Sequence, residues 1–326
     1  MNEDRFIALK NSVMFNLSLS SKELFHSNFL AYLFKYDNSL FCKIIGVEPF
    51  PFNVEREHKN IDIEIIGKNK KYLIENKVKD IIECEQIEKI ETNCKYDGYE
   101  VFYLFSLLGN NLELIEKKDK LWKEIGYEEI INKLIKHDFH DDYLNKIKND
   151  YCDFTANMIY LIKEQYHECG KYIIHSENTI IAKFREIKLH DLFMKYGMSH
   201  FVGFFKKKCT NSIKIQLNIN HAKATMTFSK ILNGIEYGIE TEDADYRRFI
   251  IANNLEARKY FENIGWFDKA WKSSSGKNYL QYGGKKYNGA TFWYQNGFPD
   301  RKIKDISYDD LTKFIIHDIN SVSQTT

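Results

Sequence analysis

Three charged residues stand in stretches whose apolar character predicts buried strands. Glu75 and Lys77 interrupt the apolar run at 71–78, and Asp62 interrupts the run at 60–67. Alternate residues of a strand point to the same face, so Glu75 and Lys77 are predicted to share one face. The connection between the two runs is short, which predicts an antiparallel pair that brings Asp62 beside Glu75.

Side chains of these types at this spacing indicate metal-assisted chemistry. Two carboxylates on adjoining strands repel each other, and this raises the pKa of at least one of them unless a cation lies between them. Mg²⁺ suits such a place because it is commonly held by one or two carboxylates together with water and substrate phosphates. Asp62 and Glu75 are therefore candidate ligands of Mg²⁺ or Mn²⁺. Lys77 could orient the attacking water or stabilise charge on a phosphoryl group, so all three residues are candidate catalytic residues for phosphodiester hydrolysis.

The spacing Glu-x-Lys carries little weight by itself, because it occurs four times in the chain. A salt bridge on a solvated strand face explains most such pairs, and a surface pair contributes only ~0–1 kcal/mol to stability. The context of Glu75 and Lys77 favours a site, since a helix is predicted before and after these strands and a buried strand follows. A metal site and an exposed salt bridge both remain open on this reasoning.

Hydrophobic periodicity and capping signals predict the elements around these residues. Residues 20–36 are predicted to form a helix that begins with a capping box of Ser20 and Glu23. The expected apolar stripe of this helix comprises Leu24, Phe25, Phe29, Tyr32 and Leu33. A helix at about 81–95 follows the second strand, and the continuous apolar run at 100–108 predicts a strand buried on both faces. The expected topology is a hairpin extended by a right-handed crossover to a parallel strand.

This ordered set resembles the PD-(D/E)xK nuclease superfamily. That restriction-endonuclease-like fold carries an acidic residue on one strand and (D/E)xK on the next, within an α-β-β-β-α-β core. The matching residues are Asp62 and Glu75-Asn76-Lys77, with Ile61 where the family name has proline. The helix ELFHSNFLAYLF also resembles the opening helix of a bacterial branch of these nucleases, and the resemblance covers about residues 20–110.

The resemblance implies supporting roles for two further residues. An acidic residue on the first helix can join the metal shell of such nucleases, which would include Glu23; its place in a capping box explains it equally well. Gln86 resembles the glutamine of the QxxxY element in RecB-like members, although Ile90 stands where that element has tyrosine. Glu55, Glu57 and Glu64 are expected to be solvated, with Glu64 as the best reserve ligand.

The pattern along the chain predicts an α/β protein with two domains. Residues 1–170 are expected to hold the restriction-endonuclease-like core, a mixed central sheet flanked by helices, with a helical extension. Residues 171–326 are expected to form an α+β unit that contains an antiparallel meander, a helix at about 244–261, an aromatic strand and a capped final helix. This second domain would position substrate or mediate assembly.

Composition limits the expected partners and location. The 47 basic and 46 acidic residues give a net charge of +1, so a local patch must hold any anionic partner. One candidate patch for nucleic acid comprises Lys272, Lys277, Tyr279, Tyr282, Lys285 and Lys286, although a surface hairpin without a binding role explains it as well. We expect a cytoplasmic protein with reduced cysteines and no membrane partner, because the chain shows no signal peptide, no membrane-length apolar run and no zinc-ligand spacing.

The expected function is a Mg²⁺- or Mn²⁺-dependent nuclease that acts on DNA rather than RNA. The resemblance to this nuclease superfamily implies a role in restriction, phage defence or repair. The alternative is a catalytically inactive protein of nuclease fold that binds nucleic acid or protein partners, and a third is a purely structural domain. The oligomeric state, including a homodimer, stays open.

Overall fold

The computed structural model divides the chain into two compact units. One comprises Met1–Glu168 and Phe184–Leu192, and the other comprises Cys169–Lys183 and Phe193–Thr326. The residues that the structure describes are 1–21, 23–57, 61–78, 82, 84–94, 97–107, 109, 121–169, 171–172, 179–209, 213–219, 224–242, 245–252, 255–267, 281–287, 290–296 and 306–322.

The first unit consists of helices and one mixed five-stranded sheet. Its helices are α1 (Glu3–Asn11), α2 (Val13–Ser21), α3 (Glu23–Tyr36), α4 (Asn38–Ile45), α5 (Cys84–Cys94), α6 (Tyr127–Ile135) and α7 (Asp142–Cys169, whose last residue is in the second unit). Its strands are β1 (Phe52–Arg56), β2 (Ile63–Gly67), β3 (Lys71–Lys77), β4 (Val101–Ser106) and β5 (Trp122–Gly126). They lie in the order β1-β2-β3-β4-β5.

The sheet changes from antiparallel to parallel at β3. Strand β2 pairs antiparallel with both β1 and β3, whereas β4 pairs parallel with β3 and β5. Helix α5 connects the parallel pair and places Ile87, Ile90 and Cys94 in a core with Leu73 and Leu104. The expected hairpin and parallel third strand are confirmed by this pairing. Strands β1 and β5 were not predicted.

The predicted helix at 20–36 begins later than expected. Ser20 belongs to α2 and α3 begins at Glu23, so the predicted start at Ser20 is wrong. The expected apolar stripe is also wrong in part, because Leu24 and Tyr32 are exposed. The buried residues of α3 are His26, Ser27, Leu30, Ala31, Leu33 and Phe34. Hydrophobic periodicity misses the two polar members of this set, which are buried because each has a hydrogen-bond partner.

The second unit contains an antiparallel sheet. Its strands are β7 (Lys214–Ile219), β8 (Ala224–Leu232), β9 (Ile235–Glu242), β10 (Asp245–Ala252), β11 (Gln281–Tyr287) and β12 (Ala290–Asn296), in the order β11-β12-β10-β9-β8-β7. The short strands β6 (Lys171–Tyr172) and β13 (Ile306–Ser307) pair with each other. The expected meander is confirmed by the consecutive pairing of β7 to β10.

Helices accompany this sheet and correct one prediction. They are α10 (Leu255–Asn263) and α11 (Tyr308–Ser321), while α8 (Thr179–Glu186) and α9 (His190–Lys208) each contain residues of both units. The helix predicted at 244–261 is wrong over its first half, which is strand β10. That strand lies between β9 and β12, where Phe249 and Ile250 are both buried. Burial on both faces removes the alternation that would have marked a strand.

Two smaller expectations are met within the described residues. Helix α11 is capped by Ser307, whose Oγ accepts a hydrogen bond from the Asp310 N–H at 3.0 Å. Cys42, Cys94, Cys152 and Cys209 are free thiols, and the first three are buried. None of the described helices combines the length and apolar character that a membrane span requires.

Candidate active site

Asp62 and Glu75 meet where the β2–β3 hairpin ends. Ile63 pairs with Ile74, and the same register continued by one residue sets Asp62 opposite Glu75. Asp62 lies just outside β2, and its Oδ2 accepts a hydrogen bond from the Asn76 N–H at 2.8 Å. A carboxylate, in place of a backbone carbonyl, thus makes this contact with β3. Asp62 is thereby held beside the strand that carries Glu75.

Glu75 is buried, and among the described residues only one of its two carboxylate oxygens has hydrogen-bond partners. Its side chain is 5% exposed. Oε1 accepts a hydrogen bond from Gln86 Nε2 at 2.6 Å and lies 3.1 Å from Lys77 Nζ. Within the part of the chain that the structure describes, buried Oε2 has no hydrogen-bond partner. An unpaired buried carboxylate oxygen is costly, and it is the kind of atom that a metal ion or a proton would satisfy.

The electrostatics of the two carboxylates reflect burial and mutual repulsion. Burial and then the charge of Asp62 raise the pKa of Glu75 to about 7, and Glu23 adds to this while Lys77 opposes it. Burial also raises the pKa of Asp62, although the Asn76 hydrogen bond and nearby cations act in the opposite direction. Both shifts follow the expected behaviour of carboxylates that share a poorly solvated site.

Lys77 is a buried cation in this acidic setting. Burial by itself lowers the pKa of Lys77, but the charges of Glu75, Glu23 and Asp62 outweigh that effect and the pKa stands above its usual value. The ammonium group is therefore retained at neutral pH. Lys77 and Glu75 form a salt bridge, as expected if the pair were an exposed surface salt bridge. Their side chains are only 11% and 5% exposed, however, so the expectation of a solvated strand face is wrong.

Asn76 ties the strand that carries the site to two helices, and sequence reasoning missed it. Its side chain is fully buried, with Nδ2 donating to Ser27 Oγ of α3 at 2.9 Å and Oδ1 accepting from the Tyr127 hydroxyl of α6 at 2.8 Å. With its N–H bound to Asp62, Asn76 thus fixes the backbone between Glu75 and Lys77. An amide within an apolar strand is the signal that could have indicated this role, because a buried amide needs partners.

Tyr127→Phe should loosen this anchor without changing the shape of the core. The substitution leaves the buried Oδ1 of Asn76 without its donor, so we expect a loss of about 1–2 kcal/mol in the free energy of unfolding. Urea unfolding would measure this loss. Tyr143→Phe is the matched control because Tyr143 is 72% exposed, and equal behaviour of the two variants would contradict the role of Asn76.

The supporting residues differ in how directly they reach the site. Gln86 hydrogen-bonds Glu75 directly, whereas Ile90, one turn later on α5, is in the hydrophobic core. Glu23 is the first residue of α3, and its charge affects the pKa values of Glu75 and Lys77. Ser20 is a helical residue of α2 and Glu23 is the first residue of α3, so the expected capping box of Ser20 and Glu23 is wrong.

Glu64 corrects the expectation for the reserve carboxylates. Glu55 and Glu57 are exposed as predicted, but the prediction that Glu64 is solvated is wrong. Glu64 is buried and Oε1 accepts a hydrogen bond from the Tyr99 hydroxyl at 2.7 Å. Tyr99 also packs against the core beneath α5. Glu64 is thus engaged in packing the sheet against α5.

The donor set of the site suits a hard divalent cation only when substrate or water completes it. Among the residues that the structure describes, no group of three or more His, Cys, Asp or Glu side chains could hold a metal ion alone. Asp62 and Glu75 offer carboxylate oxygens, one of them the unpaired Oε2 of Glu75. Two carboxylates completed by water and phosphate is a common arrangement for Mg²⁺, so the residues fit such an ion.

Half of the lysine- and tyrosine-rich patch lies within the described residues. Lys272, Lys277 and Tyr279 lie outside them, and Tyr282, Lys285 and Lys286 lie on strand β11. Strand β11 pairs with β12 in the second unit. The expected role of this patch in binding nucleic acid stays a prediction.

Comparison with known proteins gave no relative of this chain: no protein-family model, no curated protein and no solved structure matched it.

Proposed function

We propose that the chain is a metal-dependent nuclease that hydrolyses phosphodiester bonds in DNA, with Asp62, Glu75 and Lys77 as its catalytic residues. The observation that carries this proposal is the buried Oε2 of Glu75, which has no hydrogen-bond partner among the described residues and lies near a second carboxylate and the largely buried Lys77 ammonium group. A structural ion pair needs only one acid and one base. Here a second carboxylate, Asp62, and the Glu75 Oε2 that has no partner among the described residues favour the binding of a further cation.

Each residue has a distinct task in this reaction. Asp62 and Glu75 would hold Mg²⁺ or Mn²⁺, which lowers the pKa of water and offsets charge on the phosphate. Lys77 stabilises the charge that develops on the phosphoryl oxygens, and Gln86 holds Glu75 in position through its hydrogen bond. The water releases one proton to solvent as its oxygen bonds to phosphorus, the bond from phosphorus to the leaving sugar oxygen breaks, and that oxygen takes up a proton from solvent.

The order of elements supports a restriction-endonuclease-like core. From α3 and α4 the chain continues through β1, β2 and β3 to α5 and β4, which is the α-β-β-β-α-β order of the PD-(D/E)xK superfamily. Glu75 is on β3, and Asp62 immediately precedes the adjacent strand β2. The position of Glu23 near Glu75 also suits the proposed place of an acidic residue of the first helix in the metal shell.

An inactive protein of the same fold that binds nucleic acid or protein partners is the second candidate. The burial of Lys77 and Glu75 argues against it. Keeping a charged pair in a core is costly, and replacing it with apolar residues is often neutral or stabilising. A protein without the reaction would have no need of these charges. Location in the cytoplasm and a role in restriction, phage defence or repair belong to the same proposal.

The proposal is tested by incubating the purified protein with supercoiled, linear and single-stranded DNA and with RNA. We expect cleavage of DNA with Mg²⁺ or Mn²⁺ and none with EDTA. Preparations of Asp62→Ala made in parallel control for contaminating nucleases. Cleavage that persists in EDTA or in Asp62→Ala would refute the proposal, and so would the absence of cleavage of any substrate with either metal.

A further inference from the structure

Arg56, the last residue of β1, lies next to the candidate active site. It pairs with Ile63, the neighbour of Asp62 in the chain. The N–H of Glu57 donates to the Asp62 carbonyl at 3.5 Å, which continues the same register by one residue. The charge of Arg56 also acts on Asp62, where it opposes the effect of burial on the pKa.

The Arg56 guanidinium has more donors than acceptors around it. Among the described residues, its Nε and Nη1 are buried and have no hydrogen-bond partner. Nη2 lies 3.4 Å from Glu57 Oε1, longer than the usual 2.7–2.9 Å of a charge-assisted hydrogen bond. Glu57 is 63% exposed, so this pair contributes little to stability. Two unpaired buried donors instead cost stability, which leaves the arginine without a structural benefit.

Two other cations among the described residues have close partners. Lys148 donates to the His137 carbonyl at 2.6 Å. Arg248 pairs with buried Asp318 at 3.2 Å and donates to the Trp266 carbonyl. Arg56 differs from both because its one acceptor among the described residues, exposed Glu57, lies 3.4 Å away, and because its charge acts on the candidate metal ligand Asp62.

We propose that Arg56 binds a phosphate group of the nucleic-acid substrate next to the candidate catalytic carboxylates, a role that rests on the proposed function. A guanidinium is planar and donates in pairs, which matches two oxygens of one phosphate. The carboxylates of Asp62 and Glu75 repel a polyanion, and a cation whose charge acts on Asp62 offsets part of that repulsion. Glu57, whose Oε1 lies 3.4 Å from Nη2, competes weakly with the phosphate.

Binding without cleavage tests this role directly. Fluorescence anisotropy would follow labelled single-stranded DNA, duplex DNA and RNA in EDTA. We expect Arg56→Met to weaken DNA binding about tenfold at low salt and to reduce the slope of log Kd against log salt concentration by about 0.7–0.9. Glu57→Gln should tighten binding by roughly two- to threefold. Lys68→Met, which removes a charge from the exposed connection between β2 and β3, is the matched control and should leave the slope unchanged.

Thermal unfolding separates a binding role from a structural one. Arg56→Met removes unpaired buried donors and keeps the apolar stem, so Tm should be unchanged or higher by about 2–5 °C. Arg56→Lys keeps the charge but loses the paired donors. It should retain the salt dependence while binding DNA about threefold more weakly. That variant preserves the test if Arg56→Met fails to fold.

Two outcomes would overturn the inference: binding by Arg56→Met equal to that of wild type, or a lowered Tm with an unchanged salt slope. Its failure is distinguishable from failure of the nuclease proposal. DNA binding that depends on Arg56, without cleavage by any metal, would refute the nuclease and leave the phosphate site standing. Cleavage that depends on Lys77, together with DNA binding that does not depend on Arg56, would refute the phosphate site and support the nuclease proposal.

Discussion

Lys77→Ala is expected to slow Mg²⁺-dependent DNA cleavage by about 10²–10³-fold, the usual cost of removing one group that stabilises transition-state charge. The protein should still fold near pH 6.5. Without the ammonium group, the pKa of buried Glu75 rises further, and the carboxyl takes up a proton in place of forming an unpaired buried charge. Lys77→Met, which keeps the apolar stem, should behave in the same way. Cleavage rates and circular dichroism would be measured on the same preparations.

The matched control for Lys77 is the lysine at the other end of the same strand. Lys71 begins β3, and its Nζ lies 5.9 Å from the centroid of the Tyr99 ring, away from the carboxylates. Lys71→Ala should cleave DNA at nearly the rate of wild type. Unchanged cleavage in both Lys77→Ala and Glu75→Ala would refute the assignment of the catalytic site to Asp62, Glu75 and Lys77.

Glu75→Gln is expected to abolish cleavage and yet to raise stability at alkaline pH. The pKa of Glu75 is about 7 in the folded protein against an ordinary value of 4.5, so the folded state retains a proton that the unfolded chain releases between these values. Wild-type stability therefore falls as pH rises through this window and is lowest above pH 7 with respect to this group. Glutamine does not ionise, so the variant should gain about 2–3 kcal/mol in the free energy of unfolding at pH 8 and nothing at pH 4.

Denaturant unfolding at several pH values, with and without Mg²⁺, would check this prediction. Mg²⁺ should stabilise wild type at pH 8, because an ion that binds only the folded state shifts the equilibrium toward it. It should have no such effect on Glu75→Gln. Glu55→Gln, at an exposed carboxylate of β1, is the control and should not reproduce the gain in stability at pH 8. A gain of stability at pH 4 equal to that at pH 8 would contradict the role of ionisation.

The hairpin and its acidic residues could be predicted because local sequence determines them. Strand β2, strand β3 and the short connection fix the register, and the register brings Asp62 to Glu75 without information from elsewhere. The same holds for α5, whose apolar side is evident from the spacing of Ile87 and Ile90. These parts of the site could be predicted from residues that are close together in the sequence.

The remaining parts depend on partners that are distant in sequence. Asn76 is buried because Ser27 and Tyr127 satisfy its amide, and neither residue is near it in the chain. Glu64 is buried because Tyr99 donates a hydrogen bond to it. Strand β10 was mistaken for a helix because the consecutive residues Phe249 and Ile250, which point to opposite faces of the sheet, are both buried. Buried polar residues and strands that are buried on both faces thus depend on tertiary packing, which hydrophobic periodicity in the sequence does not indicate.

The path of the chain between the two units has a thermodynamic consequence. Residues 184–192 belong to the first unit, where Phe184 and Leu189 are buried and Glu186 pairs with Lys10, while the chain on both sides belongs to the second unit. The folded first unit thereby restrains two points of the second unit's chain, which lowers the conformational entropy of its unfolded state much as a cross-link does. Unfolding the first unit would release that restraint. Connectivity alone therefore makes each unit more stable while the other is folded.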